Sequence, residues 1–189
     1  RAIKNLASFK DKSTFSYLIN SQFNQVITDD NQLNIHKAII DYTGEVEGDY
    51  AADSILYQMK QSGTAEPNNP KVDELEDYAV AAIANHARNM PDNVREGFEK
   101  RLLAASPSDA DARYSLKILR ALDSPKVSSA AFDVIFGHNI RPKKPGTLKL
   151  AHNILGSHGT MSDIKNIWGD RVRRDLEPYV FDFLQGINS

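Results

Sequence analysis

The sequence contains no cysteine, and this absence excludes several kinds of site. Without thiols there is no disulfide, no zinc site built on thiolates and no cysteine nucleophile. The compartment stays open, because a protein without cysteine tolerates both oxidising and reducing surroundings. No asparagine is followed two places later by serine or threonine, so an acceptor for N-linked glycosylation is also missing.

Long apolar runs are absent as well. No stretch approaches the roughly 18–20 residues that cross a bilayer, and the first thirty residues lack the pattern of a signal peptide. With 189 residues, 41% hydrophobic and 25% charged, the composition is typical of a soluble globular protein. We therefore predict no membrane insertion and favour the cytoplasm. Because the chain begins with Arg1, it is open whether this is a piece of a longer protein.

Signals for β-structure are scarce, since no Asn-Gly or Asp-Gly turn joins two alternating runs. Apolar residues instead recur at helical spacing along the chain. We predict an all-α fold, an irregular compact bundle of about nine or ten helices with little or no sheet. One helical domain is expected over residues 1–189, and Thr64–Pro70 is the linker at which two subdomains would divide.

Several helix boundaries follow from turn and capping residues. Pro91 is expected to stop a long helix that starts at Lys71, because proline removes a backbone donor and clashes with the preceding turn. Ser108, three places before Asp111, has the spacing of a capping box. Other predictions are a helix from Phe15 capped by Ser13, a loop over Thr43–Gly48, a cap at Asp92, and a helix from Thr147 that Gly156 ends.

Charge is unevenly distributed although the formal net charge is only −2. Residues 41–77 hold ten acidic and two basic side chains, a charge of −8, whereas residues 137–174 hold eight basic and two acidic ones, a charge of +6. Either the basic segment meets an acidic partner, or the two segments face one another and cancel. We call the following candidate partner-binding residues the basic patch: Arg141, Lys143, Lys144, Lys149, Trp168, Arg171, Arg173 and Arg174.

Residues that could carry catalysis or bind a metal do not form a known pattern. The closest histidines, His152 and His158, are six residues apart instead of the four typical of a helical zinc site. Ser157 adjoins His158 in sequence, but this alone does not align a nucleophile with its base. Glycine-rich phosphate-binding motifs are absent. We assign no catalytic, cofactor-binding or metal-binding residue and lean against an enzyme.

The sequence favours a macromolecular-interaction domain that recognises an acidic surface of a protein partner through the basic patch. The first alternative is nucleic-acid binding, because residues 147–168 resemble a degenerate helix-turn-helix whose glycine falls at an unusual place. The second is a cysteine-independent catalytic domain or a scaffold that recruits another protein's reactive group. The identity of the partner and the oligomeric state stay open.

Overall fold

The protein folds into α-helices. A computed structural model describes residues 13, 17, 27–62, 69–104, 108–136 and 144–159. No strand occurs among these residues, which confirms the all-α prediction. They form seven α-helices: α1 Asp30–Glu47, α2 Ala51–Ser62, α3 Pro70–Arg88, α4 Asp92–Ala104, α5 Asp109–Ala121, α6 Val127–Phe136 and α7 Pro145–His158.

Seven predicted helices therefore have a counterpart in the described ranges. Ser13 and Tyr17 are both helical, so Ser13 lies within a helix instead of capping it. The two helices predicted after Ser162, which would bring the total to nine or ten, lie outside the described residues and stay predictions. The linker predicted over Thr64–Pro70 is described only at its last two residues, where Asn69 caps α3 and Pro70 is its first residue.

The chain divides into two compact units, and the boundary falls within α4, after Phe98. In the first unit α1, α2 and α3 pack against one another in pairs. Their buried apolar residues occur at helical spacing, as expected for amphipathic helices that turn one face inward. The largest fully buried side chains there include Tyr42, Ile39, Ile55, Leu75 and Ile83.

The second unit is built on α5, α6 and α7, which also pack in pairs. Leu116, Ile118 and Leu119 of α5 are fully buried. Ile154 and Leu155 of α7 are fully buried too, so the apolar face of each helix supplies the core. The prediction of a single domain over the whole chain stays a prediction.

The structure confirms some of the predicted helix boundaries and corrects others. Ser108 caps α5, where its hydroxyl oxygen accepts the Asp111 backbone N–H at 3.0 Å. Pro91 follows α3, which ends at Arg88, two residues before the predicted end at Met90. Asp92 was predicted as a cap, but it is the first residue of α4, and its carboxylate pairs with Arg95 one turn later.

Two predicted ends of helices are wrong. Residues 43–47 were predicted as a loop, yet α1 continues through them to Glu47, because Thr43 is buried and accepts a hydrogen bond from Gln58 of α2 at 2.9 Å. Gly156 was predicted to end a helix, yet α7 runs on to His158. The His158 carbonyl accepts the Ser128 hydroxyl at 2.6 Å, so α6 satisfies a backbone acceptor at this helix end.

Candidate functional site

A cleft lies between α1 and α3 in the first unit, with a volume of about 480 Å³. Short side chains of both helices line it, namely Ala38 of α1 and Ala81 and Ala82 of α3, together with the buried Ile40 and Tyr42. Polar side chains line the rest of the cleft. They come from both helices: Asp41, Glu45, Tyr78, Asn85 and His86.

One wall of the cleft is formed by a close contact between α3 and the backbone of α1. A Cβ atom added to Gly44 would stand 2.3 Å from His86 Nε2 and 2.9 Å from His86 Cε1. The imidazole of His86 therefore occupies the space that any other residue at position 44 would need. Glycine in a helix costs about 0.5–1 kcal/mol relative to alanine, so this contact gives Gly44 a packing role.

Tyr78 and Asp41 connect the two helices across the cleft. The Tyr78 hydroxyl donates to Asp41 Oδ1 at 2.5 Å. Burial of the phenol, followed by the hydrogen bond to Asp41 and the charge of that carboxylate, raises the pKa of Tyr78 to about 12. At neutral pH the phenol is therefore protonated and orients the carboxylate.

Lys37 lies close to Tyr78, but it is already paired with another carboxylate. Its ammonium lies 2.6 Å from Glu74 Oε1 and 5.3 Å from the centroid of the Tyr78 ring, a cation–π distance. Lys71 likewise pairs with Asp30. Both lysines thus neutralise other carboxylates of the first unit, and neither is paired with Asp41.

Residues 41–53 carry five acidic side chains and no basic one. Among the described residues, Asp41, Glu45, Glu47 and Asp49 make no ion pair. Three of them lie in or just after the last turn of α1, which has no basic residue. The carbonyl groups at a helix C-terminus carry partial negative charge, so this end of α1 is electrostatically negative.

The basic patch falls mostly outside the described residues. Lys144 and Lys149 are its two described members, and both are exposed. Neither ammonium pairs with a carboxylate in the part of the chain that the structure describes. Residues 144–159 contain no acidic residue at all. The other six members lie outside the described residues, and their part in the patch stays a prediction: Arg141, Lys143, Trp168, Arg171, Arg173 and Arg174.

Unlike Lys144 and Lys149, Lys126 of the second unit is paired with a carboxylate. Lys126 Nζ lies 3.1 Å from Glu99 Oε2, and the Ser124 hydroxyl donates to the same carboxylate at 3.0 Å. Glu99 is buried, so the lysine and the hydroxyl compensate for its desolvation. This triad explains a buried charge without any ligand.

Ser157 and His158 are brought together, with Ser157 Oγ 2.7 Å from His158 Nδ1. The Ser157 hydroxyl, however, is also within 2.9 Å of the Asn153 carbonyl, which only accepts. The Asn153 carbonyl and the His158 ring therefore compete for the single proton of this hydroxyl, and no carboxylate is shown to orient the imidazole. The arrangement belongs to the end of α7.

No group of three or more histidine, aspartate or glutamate side chains within the described ranges is placed to hold a metal ion. Among the same residues, no helix combines the length and the apolar character needed to cross a bilayer. Comparison of the chain with protein-family models, with curated proteins and with solved structures gave no match.

Sequence reasoning missed the cleft. Asp41 entered the sequence analysis only through the charge of residues 41–77, and Tyr78 and His86 were given no role. The residues that meet are 37 positions apart for Tyr78 and Asp41 and 42 for His86 and Gly44. The local signals of the cleft in the sequence are the run of acidic residues and the alanines of α3.

Proposed function

We propose that the protein is a macromolecular-interaction domain that binds an acidic surface of a partner protein through the basic patch. The observation that carries this proposal is the state of Lys144 and Lys149, which are exposed and make no ion pair among the described residues. Exposed charges of one sign attract a partner of opposite sign and raise its rate of association. Trp168 serves as the apolar anchor of this surface.

The geometry of α7 adds to this argument. Lys144 immediately precedes the helix, and the first turn of α7 contains no acidic residue. Because the N-terminus of a helix carries partial positive charge, Lys144 and the helix end reinforce each other. The backbone N–H of Lys144 donates to Asp109 Oδ1 at 2.7 Å, which fixes the entry of the chain into α7.

Nucleic-acid binding is the competing function, because the same cations contact phosphates. The predicted helix-turn-helix would use α7 as its first helix. That helix was predicted to end at Leu155, before Gly156, whereas α7 extends three residues further, to His158. Catalysis or catalytic scaffolding has less support, because the Ser157 hydroxyl is bonded to a backbone carbonyl. A protein partner is therefore preferred.

The test measures binding of the full chain to poly-L-glutamate, as a model acidic surface, and to a DNA duplex of arbitrary sequence. Lys149→Glu reverses one charge of the patch, and Arg120→Glu is the matched control. Arg120 is exposed and lies at the opposite end of α5 from Asp109, the residue that contacts Lys144. Arg173→Glu together with Arg174→Glu extends the test to the rest of the patch.

We expect Lys149→Glu to weaken poly-L-glutamate binding by about threefold or more, and Arg120→Glu by less than twofold, with affinity falling as salt is raised. Equal losses in the two variants would contradict the patch. Duplex binding that is tighter than polyglutamate binding and falls by orders of magnitude between about 50 and 200 mM salt would replace the proposal with nucleic-acid binding.

A further inference from the structure

The cleft between α1 and α3 has the dimensions of a ligand site. Its volume of about 480 Å³ falls within the roughly 300–1,000 Å³ usual for pockets that bind small molecules. Alanine side chains and polar side chains from both helices line it. Such a combination of an apolar lining with a few polar groups fixes both the position and the orientation of a ligand.

We infer that this cleft binds a guanidinium group, held by the carboxylates of Asp41 and Glu45. The two residues are four positions apart on α1 and both line the cleft. Carboxylates at this spacing lie on the same face of a helix and repel each other, so a cation between them is favoured. The negative end of the α1 dipole, in whose last turn Glu45 lies, adds to the attraction.

The surrounding side chains leave this negative charge uncompensated. Lys37 is committed to Glu74 and to the ring of Tyr78, and neither Asp41 nor Glu45 makes an ion pair among the described residues. The neutral phenol of Tyr78 donates to Asp41 Oδ1 and holds this carboxylate in place, and among the described residues no other side chain donates a hydrogen bond to it.

A guanidinium fits this arrangement better than a metal ion. In the described part of the chain no three metal-ligating side chains converge, as a cation such as Zn²⁺ or Ca²⁺ would need. Guanidinium is planar and offers five N–H donors in a fixed fork that matches carboxylate geometry. The short alanine side chains that line the cleft also leave room for a flat group.

The source of the guanidinium is either a small molecule or an arginine of a partner polypeptide, and the test separates the two. Agmatine and the blocked peptide acetyl-Gly-Arg-Gly-amide are titrated into the full chain, and backbone amide chemical shifts are followed by NMR. The same peptide with citrulline in place of arginine is the neutral control. Dissociation constants of about a millimolar or below are expected for so small a contact.

We expect saturable shifts at Asp41, Glu45 and Tyr78 with agmatine and with the arginine peptide, and none with the citrulline peptide. Tighter binding of agmatine identifies a small molecule as the ligand, whereas equal or tighter binding of the peptide identifies an arginine side chain. Absence of saturable shifts, or equal shifts with citrulline, would overturn the inference.

Paired substitutions separate the cleft from the general charge of the first unit. Asp41→Asn with Glu45→Gln is expected to weaken binding by at least about tenfold, since two charge-assisted hydrogen bonds are lost. The asparagine still accepts the Tyr78 hydroxyl, so the fold is retained. Glu47→Gln with Asp49→Asn removes the same charge outside the cleft and is expected to change affinity by less than twofold. Equal losses in the two double variants would contradict the site.

Discussion

The two units pack their helices in the same way, but each contains a charged segment of opposite sign. In each unit three of the described helices pack in pairs around apolar faces, α1 to α3 in the first and α5 to α7 in the second. In the first unit residues 41–53 hold five carboxylates and no base, whereas in the second residues 144–159 hold two lysines and no acid. Among the described residues, four of these carboxylates and both lysines make no ion pair: Asp41, Glu45, Glu47, Asp49, Lys144 and Lys149.

A buried carboxylate needs partners, whereas exposed charges pair in some places, as Asp30 does with Lys71, and stay unpaired in others. Glu99 is buried, and it is compensated by Lys126 and Ser124. Lys149 is exposed and stays without a carboxylate among the described residues, since water solvates it. Unpaired exposed charges contribute little to folding, so they are available for recognition.

The largest effect on stability is expected when one glycine in each unit is replaced by alanine. Gly44→Ala places a Cβ on the imidazole of His86 and is expected to destabilise the protein by about 1–3 kcal/mol, as overpacking does. The same substitution at Gly146 of α7 meets no atom within 4 Å and is expected to be neutral or stabilising by up to about 1 kcal/mol. Urea denaturation measures both variants.

Two outcomes would contradict the prediction for the glycine variants. If Gly44→Ala is as stable as Gly146→Ala, then His86 does not pack on the α1 backbone, and this wall of the cleft is not as described. A loss in both variants would instead point to a shared backbone cause. Agmatine binding of the Gly44→Ala protein sharpens the result, because a displaced imidazole fills part of the cleft.

A smaller effect is expected at Tyr78. Replacing it with phenylalanine removes the hydrogen bond to Asp41 and costs about 1 kcal/mol, the usual net value of such a bond. The pKa of Tyr78 is raised from 10.0 to about 12, so the folded state holds the phenolic proton more tightly than the unfolded state. This contribution is complete below pH 10 and is lost as the pH rises toward 12.

Difference titration of phenolate absorbance between the unsubstituted protein and Tyr78→Phe isolates this group. One phenol titrating near pH 12 should be missing from the variant. A missing phenol that titrates near pH 10 would mean that Tyr78 is neither buried nor bonded to Asp41. The stability curves of the two proteins should converge above the higher pH, which checks the sign of the effect.

Local signals in the sequence predicted much of the fold. Apolar spacing located all seven described helices, and Ser108 was recognised as a cap because its hydroxyl accepts an amide only three residues away. Proline at position 91 gave the end of α3 to within two residues. These features depend on residues that are close in the sequence, so the sequence alone predicts them.

The errors came from contacts between distant residues. Thr43 and Gly44 both indicate a loop by composition, but Gln58 donates to the Thr43 hydroxyl at 2.9 Å and His86 packs against Gly44. Gly156 indicates a helix end, but Ser128 of another helix bonds to the His158 carbonyl. The cleft depends on the same kind of contact, between Tyr78 and Asp41, and no local pattern encodes it.

Lys144 and Lys149 make no ion pair among the described residues, in contrast to Lys126, and this contrast is the basis of the proposed function. Limited acetylation of the native full chain, followed by peptide mass spectrometry, measures how accessible and how engaged each lysine amine is. We predict that Lys144 and Lys149 are acetylated several times faster than Lys126, whose ammonium is held by the buried Glu99. Rates for Lys144 and Lys149 as slow as that of Lys126 would contradict the account.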